Sequence, residues 1–201
     1  MQASSTTAKA STRRFVLLDR DGVINRRVAE GYVTSWREFE FLPGAIEGLR
    51  LFAAHGYTVL VVSNQACVGK GLLRASELVT LTERFLMEVA LAGGRIERVY
   101  YCSHREDERC SCRKPRPGLL LRAQADHGFI PAQTYFVGDS PSDWAAATAA
   151  GCPSIAIRRG AFLREPEDCP PNKALASHLA EAAQFIVESE SSLSALEERL
   201  A

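Results

Sequence analysis

Two aspartates, Asp19 and Asp21, stand two residues apart directly after a short apolar run. Carboxylates this close repel each other, so the pair is costly unless a cation or a reaction uses it. Mg²⁺ prefers oxygen ligands and is usually held by one or two carboxylates together with substrate phosphate and water. A carboxylate can also attack phosphorus to give an aspartyl phosphate, while a second carboxyl handles protons. The pair therefore indicates Mg²⁺-dependent phosphoryl transfer.

Residues farther along the chain could complete such a site. Asp139 follows another apolar run and offers a third carboxylate for the cation. Phosphoryl transfer also needs donors and fixed positive charge around the phosphate oxygens, which Ser63, backbone amides near Asn64 and Lys114 could supply. Each of these residues taken singly is more often structural. Their combination favours a phosphatase site.

A second group of reactive side chains contains three cysteines and one histidine: Cys102, His104, Cys110 and Cys112. The spacing C-x-H-x5-C-x-C offers the thiolate and imidazole ligands that zinc binds tetrahedrally. Four protein ligands leave no open position on the ion, which favours a structural zinc over a catalytic one. Free thiols and a disulfide are the alternatives. Because Cys112 directly precedes Arg113 and Lys114, zinc here would anchor the loop that carries the lysine.

The elements that must position these residues alternate between strand and helix. Apolar runs rich in β-branched residues predict strands at 15–18, 57–62, 96–101, 134–137 and 154–157. Helical patterns occupy 45–55, 75–92, 117–127 and 141–150. Short connections between them indicate βαβ units, and hence an α/β fold with a mostly parallel sheet. In such sheets ligands bind beyond the carboxyl ends of the strands, where the residues above are found.

The chain of 201 residues is predicted to form one domain, residues 13–201, after a disordered leader of residues 1–12. From about residue 159 we expect a proline-rich loop, a helix at 174–183, a short strand at 185–187 and a last helix. No internal repeat or second domain is indicated.

The composition limits the partners. Lysine and arginine total 24, as do aspartate and glutamate, so no overall charge draws the chain to nucleic acid or to an anionic membrane. No apolar run approaches the roughly 20 residues that span a bilayer. Six cysteines are too sparse for a disulfide-stapled scaffold, which favours a cytoplasmic location. We expect a monomer that acts on a small molecule.

Four segments resemble the four motifs of the haloacid dehalogenase superfamily: DRDGV at Asp19, VVSNQ at Ser63, CRKP at Lys114 and GDSPSD at Asp139. The resemblance implies a Rossmann-like sheet with helices on both faces and little or no cap domain. It implies that Asp19 is the nucleophile and Asp21 the general acid and base, with Ser63 and Lys114 holding the phosphate. It also implies that Mg²⁺ is bound by Asp19, by Asp139 and by the carbonyl of Asp21.

The segments EGYV, FEFLPG and YYCSH resemble one branch of that superfamily, which contains heptose-bisphosphate and histidinol-phosphate phosphatases and carries the same zinc loop. This resemblance implies loss of the C7 phosphate from D-glycero-D-manno-heptose 1,7-bisphosphate, with histidinol phosphate as the alternative substrate. The short zinc loop, and Ser140 where a basic residue is frequent, depart from the heptose pattern. The implied substrate contacts are Glu30, Gly31, Tyr32, Ser63, Asn64, Gln65, Ala66, Arg113 and Lys114.

Two readings without catalysis remain. A phospho-receiver domain also places acids and a lysine on an α/β sheet, but its phosphorylated aspartate would follow the third strand, where this chain has Cys102. A zinc-bearing interaction module that had lost catalysis would be expected to show damage to the acidic set. Asp19, Asp21, Lys114 and Asp139 are all intact, which favours an enzyme.

Overall fold

The computed structural model describes residues 13–28, 31–158 and 174–200. The predicted leader, Glu30 and the proline-rich loop at 159–173 lie outside the described residues. The strands are β1 (Arg14–Leu18), β2 (Tyr57–Asn64), β3 (Arg98–Cys102), β4 (Tyr135–Gly138), β5 (Ser154–Ile157) and β6 (Ala174–Ala176). They form one sheet in the order β3-β2-β1-β4-β5-β6, and every neighbouring pair is parallel.

The helices are α1 (Ala45–Ala54), α2 (Ala66–Gly69), α3 (Ala75–Leu91), α4 (Gly118–His127), α5 (Pro141–Ala150) and α6 (Leu179–Leu200), with 3-10 turns at Trp36–Glu38 and Pro131–Gln133. Glycine ends α4 and α5, because Gly128 and Gly151 adopt the left-handed conformation in which a side chain would be strained. Proline at the first position of α5 suits a helix start, since its missing N–H would have no partner there. Among the described helices, none combines the length and the apolarity needed to cross a membrane.

The sheet is covered on both faces, as its strand sequences predict. Along β1, Val16 and Leu18 pack into one core with α1, α3 and α6, whereas Phe15 and Leu17 pack into another with α4 and α5. Successive residues of a strand point to opposite faces, so an uninterrupted apolar strand must be buried twice. The predicted α/β class with helices on both faces is confirmed, and the described residues contain no cap domain.

Two predictions for the C-terminal part are wrong. The segment Ala174–Ala176 begins the predicted helix but pairs with β5 as the edge strand β6, so sheet pairing overrides its helical propensity. The predicted strand at 185–187 lies inside α6. Its apolar residues belong to a helical stripe in which Leu179, Ala182 and Ile186 are buried, three to four residues apart.

The strand order fixes where a ligand can bind. β1 lies between β2 and β4, so the chain winds outward in both directions from this strand. The carboxyl ends of these three strands lead into Asp19, Asn64 and Asp139 respectively. Such a switch point is where open α/β sheets form their ligand crevice.

Candidate active site

Three carboxylates converge at the carboxyl edge of the sheet. Asp19 follows β1, Asp139 follows β4 and Asp143 lies in the first turn of α5, and one oxygen of each lies within 4.8 Å of the others. Their approach depends on Gly22, whose φ is 99°. A Cβ at Gly22 would overlap the Asp139 carboxylate, so the turn after β1 can pass this close only with glycine there.

Lys114 supplies the positive charge at the centre of this group. Its Nζ lies 2.9 Å from Oδ1 of Asp19 and 2.7 Å from Oδ1 of Asp143, and it donates to the carbonyl of Val62 at 2.8 Å. Burial alone would lower the pKa of Lys114, but Asp143 and Asp19 raise it above its ordinary value. The lysine is therefore a fixed cation, held by one hydrogen bond to a backbone carbonyl and by ion pairs with two carboxylates.

The acids themselves are held in a poorly solvated setting. Burial raises the pKa of Asp19 to about 6 although Lys114 opposes the rise. Burial, together with the charge of Asp19, raises the pKa of Asp139 to about 7. Within the described part of the chain, the buried Oδ1 of Asp139 has no hydrogen-bond partner, and Oδ2 lies 3.7 Å from Arg27. Clustered carboxylate oxygens short of partners fit a hard divalent cation such as Mg²⁺.

Asp21 does not belong to this group of three acids and has its own counter-charge. Arg20 donates from Nη2 to both oxygens of Asp21 at 3.0 Å, Asn25 donates to Oδ1 at 2.8 Å, and Gln65 donates to Oδ2. The Arg20 side chain is fully buried and also lies 3.4 Å from the hydroxyl of Tyr101. The repulsion expected within the DRD segment is thus offset by its middle residue, which the sequence analysis did not single out.

Asp19, Asp21 and Asp143 line a cavity of about 320 Å³. Six of the predicted substrate contacts line it: Gly31, Tyr32, Ser63, Asn64, Arg113 and Lys114. Arg113 stands out because its buried Nη1 has no hydrogen-bond partner among the described residues, and its Nη2 lies 3.9 Å from Glu106. A buried guanidinium N–H without an acceptor is suited to an anionic ligand.

The amide side chains of Asn64 and Gln65 form hydrogen bonds with other groups of the protein. Gln65 and Ala66 are fully buried and do not line the cavity. Gln65 donates to Asp21 and also to Oγ of Ser63 at 3.1 Å. Asn64 pairs with the backbone of Lys114. Contact of these residues with substrate stays a prediction.

Arg27 is a cavity residue that sequence reasoning missed. Its neighbour Arg26 pairs with Glu40 in an exposed ion pair, whereas Arg27 faces Asp139 across the mouth of the site. Two adjacent arginines carry no sequence signal that separates these roles. The loop that follows β1 decides which of them reaches the acids.

The four residues of the Cys/His group come together next to Lys114. Distances between the three sulfurs are 3.4–3.6 Å, and Nδ1 of His104 lies 3.6 Å from Sγ of Cys102 and 3.3 Å from Sγ of Cys112. Three sulfurs and one nitrogen at zinc bond lengths in a tetrahedron are roughly 3.5–3.8 Å apart, a few tenths of an ångström more than these separations. All three cysteines are free, so the disulfide alternative is not what the structure contains. The donor set and its spacing fit zinc.

Comparison with known proteins identifies close relatives. A family model described as HAD-hydrolase-like matches residues 111–182. D-glycero-alpha-D-manno-heptose-1,7-bisphosphate 7-phosphatase of Mycobacterium tuberculosis is 42% identical over 148 residues, which cover 71% of this chain and 78% of that protein. The D-glycero-beta-D-manno-heptose-1,7-bisphosphate 7-phosphatase of Pseudomonas putida is 36% identical, over 81% of this chain and 92% of that protein.

A solved structure matches the architecture as well. The crystal structure of D,D-heptose 1,7-bisphosphate phosphatase from B. bronchiseptica, complexed with magnesium and phosphate, superposes with a TM-score of 0.82 and 28% sequence identity. The match covers 88% of this chain and 99% of that chain. The structural likeness therefore extends over nearly the whole of the solved protein.

Proposed function

The chain belongs to the heptose-1,7-bisphosphate 7-phosphatase family of HAD-like hydrolases, and on that premise we propose that it removes the C7 phosphate of D-glycero-D-manno-heptose 1,7-bisphosphate. The observation that carries the proposal is the position of Asp19. This carboxylate opens onto the cavity, and its Oδ1 accepts both from Lys114 and from the backbone N–H of Arg20 at 2.7 Å. Oδ2 is then the oxygen free to attack.

In the first step, Oδ2 of Asp19 forms a bond to the phosphorus of the C7 phosphate, and the bond from phosphorus to the C7 oxygen breaks. Asp21 donates a proton to that leaving oxygen, giving the sugar alcohol and an aspartyl phosphate. Because Arg20, Asn25 and Gln65 hold the Asp21 carboxyl from three sides, its orientation is set before substrate binds.

In the second step, water attacks the aspartyl phosphate and Asp21 takes its proton, which frees Asp19 and inorganic phosphate. Lys114 and Ser63 would hold the phosphoryl oxygens through both steps. Mg²⁺ bound by Asp19, Asp139 and the Asp21 carbonyl would supply charge stabilisation at the transferring phosphate. The magnesium and phosphate named for the B. bronchiseptica structure support this assignment.

Arg113 is the proposed partner of the second phosphate, at C1. A phosphate accepts two parallel hydrogen bonds from one guanidinium, and the buried Nη1 of Arg113 has no acceptor among the described residues. Gly31 and Tyr32, on the loop after β1, line the same cavity and are proposed to contact the sugar, together with Glu30.

A structural zinc held by Cys102, His104, Cys110 and Cys112 completes the proposal. The four donors fit a closed tetrahedral site, and such thiolate ligands persist in a reducing compartment. We therefore propose a cytoplasmic enzyme, which acts as a monomer. Its product would serve nucleotide-activated heptose synthesis for lipopolysaccharide or S-layer glycans.

The test is a comparison of kcat/KM with Mg²⁺ for the α and β anomers of heptose 1,7-bisphosphate and for histidinol phosphate. We expect the preferred heptose anomer to exceed histidinol phosphate by at least about 10²-fold, since Arg113 would be left unpaired by a substrate with one phosphate. Both anomers are needed because the relatives divide between them. A higher kcat/KM for histidinol phosphate would refute the proposed substrate.

A further inference from the structure

Asn64, the last residue of β2, forms a pair of hydrogen bonds with a single backbone residue. Its Nδ2 donates to the carbonyl oxygen of Lys114 at 3.1 Å, and the backbone N–H of Lys114 donates to Oδ1 of Asn64 at 3.1 Å. The side-chain amide thus hydrogen-bonds to both the backbone N–H and the backbone carbonyl of a residue 50 positions away. A strand neighbour would make such a pair, but here a side chain replaces it.

The segment that Asn64 holds has no regular secondary structure to fix it. Lys114 lies in the loop between β3 and α4. Its Nζ nevertheless lies within 2.9 Å of three separate acceptors, at Asp19, Asp143 and Val62. A lysine stem has four rotatable bonds, so a tip held to this accuracy requires a fixed backbone.

Asn64 is itself firmly placed. It lies opposite Cys102 in the pairing of β2 with β3, and the next residue, Gln65, donates its backbone N–H to the carbonyl of Cys102 at 2.7 Å. The pairing of β2 with β3 therefore places the side-chain amide of Asn64, which in turn is hydrogen-bonded to the backbone of Lys114. Ser63, one residue earlier, lines the cavity from the same strand end.

We propose that Asn64 is a positioning residue, which clamps the backbone of Lys114 so that Nζ stays between Asp19 and Asp143. The inference rests on the proposed function, in which Lys114 serves phosphoryl transfer. It replaces direct substrate contact as the main role of the Asn64 side chain. Asn64 would therefore affect the reaction only by positioning Lys114.

A double-mutant cycle tests this route. Asn64→Leu keeps the branched shape of the side chain and removes both bonds, and we expect kcat to fall by about 10²-fold with KM within about threefold of the parent value. Lys114→Ala should cost about 10³-fold. The double variant should be no slower than Lys114→Ala, because the clamp then has nothing to position. Thr58→Val, at the other end of β2, is the matched control and should keep full activity.

Hydrogen exchange of the backbone provides a readout independent of turnover. In Asn64→Leu the amide of Lys114 loses its acceptor, so the peptide that contains it should exchange faster, while peptides from β1 and β4 keep their protection. If Asn64→Leu does not fold, Asn64→Ala gives the same cycle.

Additive losses in the double variant, or a loss seen mainly in KM, would overturn the clamp. Unchanged exchange at Lys114 would overturn it as well. If the parent chain hydrolyses none of the candidate phosphates while Asn64→Leu still accelerates exchange at Lys114, the proposed function fails and the clamp stands.

Discussion

The two candidate cation sites lie beside each other but are built differently. The acidic site stands on the ends of β1 and β4 and the start of α5, and it contains a protein cation, Lys114, within 2.9 Å of two of its carboxylates. The Cys/His site begins at the end of β3 and continues on a loop. The side-chain contacts of its three cysteine sulfurs are mainly with one another.

This difference in support indicates which of the two sites needs its metal to keep its structure. The strand ends and the start of α5 position the acidic residues, and Lys114 balances part of their charge. Most of the Cys/His loop lies outside the sheet, and structural zinc sites contribute directly to local folding. Mg²⁺ is thus expected to serve the reaction, and zinc the position of residues 113 and 114.

The largest effect is expected in the acidic site. Asp19→Asn removes the attacking oxygen and should lower kcat by at least about 10⁴-fold. Because the strand end and its buried neighbours remain, the circular dichroism spectrum and zinc content should not change. An Asp19→Asn protein that retains more than a hundredth of the parental rate would show that another group attacks phosphorus.

The next largest effect should come from the Cys/His site. Cys112→Ser removes a ligand two residues before Lys114, so we expect loss of about one zinc per chain and a fall of about 10²-fold in kcat. Metal analysis and steady-state kinetics on the same preparation measure both. Cys152→Ala is the control, since this buried cysteine follows α5 and does not lie in the loop. Zinc retained at full stoichiometry in Cys112→Ser would contradict the ligand set.

Arg113 joins the two regions, because it lies in sequence between Cys112 of the proposed zinc site and Lys114 of the acidic site. Arg113→Ala should raise KM for heptose 1,7-bisphosphate by about 10- to 100-fold and alter hydrolysis of a monophosphate by less than about threefold. The exposed Arg122→Ala, on α4, serves as the control. Equal losses on both substrates would show that Arg113 does not recognise the second phosphate.

The smallest effect is expected at Arg27. This half-exposed arginine lies 3.7 Å from Oδ2 of Asp139. Its positive charge there repels a metal ion that binds to Asp139. Arg27→Ala should therefore bind Mn²⁺, a paramagnetic substitute for Mg²⁺, about two- to fivefold more tightly in the absence of substrate. Electron paramagnetic resonance of free Mn²⁺ measures this, with Arg26→Ala as the adjacent control. Weaker Mn²⁺ binding in Arg27→Ala would contradict the claim that the charge of Arg27 weakens cation binding at Asp139.

The sequence predicted the sheet and the position of the reactive residues well, because both follow from local pattern. Apolar runs mark the central strands, and Asp19 and Asp139 follow two of them directly. Parallel strands bring their carboxyl ends to one edge, so the acids had to converge. Local pattern fails at Ala174–Ala176, whose alanine-rich sequence favours helix and whose strand form depends on pairing with β5.

The direction of individual side chains could not be predicted in the same way. Asn64 and Gln65 follow a strand end and are chemically suited to phosphate, yet their amides pair with Lys114 and Asp21, which are distant in sequence. The burial of Arg20 depends likewise on Tyr101 from β3. Such contacts are set by tertiary packing, for which a single sequence offers no periodic signal.

Rapid acid quench followed by peptide mapping tests the central claim most directly. The parent chain is mixed with excess heptose 1,7-bisphosphate and Mg²⁺, quenched within the first turnover and digested. We predict one added phosphate on the peptide that contains Asp19, which hydroxylamine removes because the linkage is an acyl phosphate. Phosphate carried by another residue, or a full burst of sugar product without any phosphorylated peptide, would contradict Asp19 as the phosphoryl acceptor.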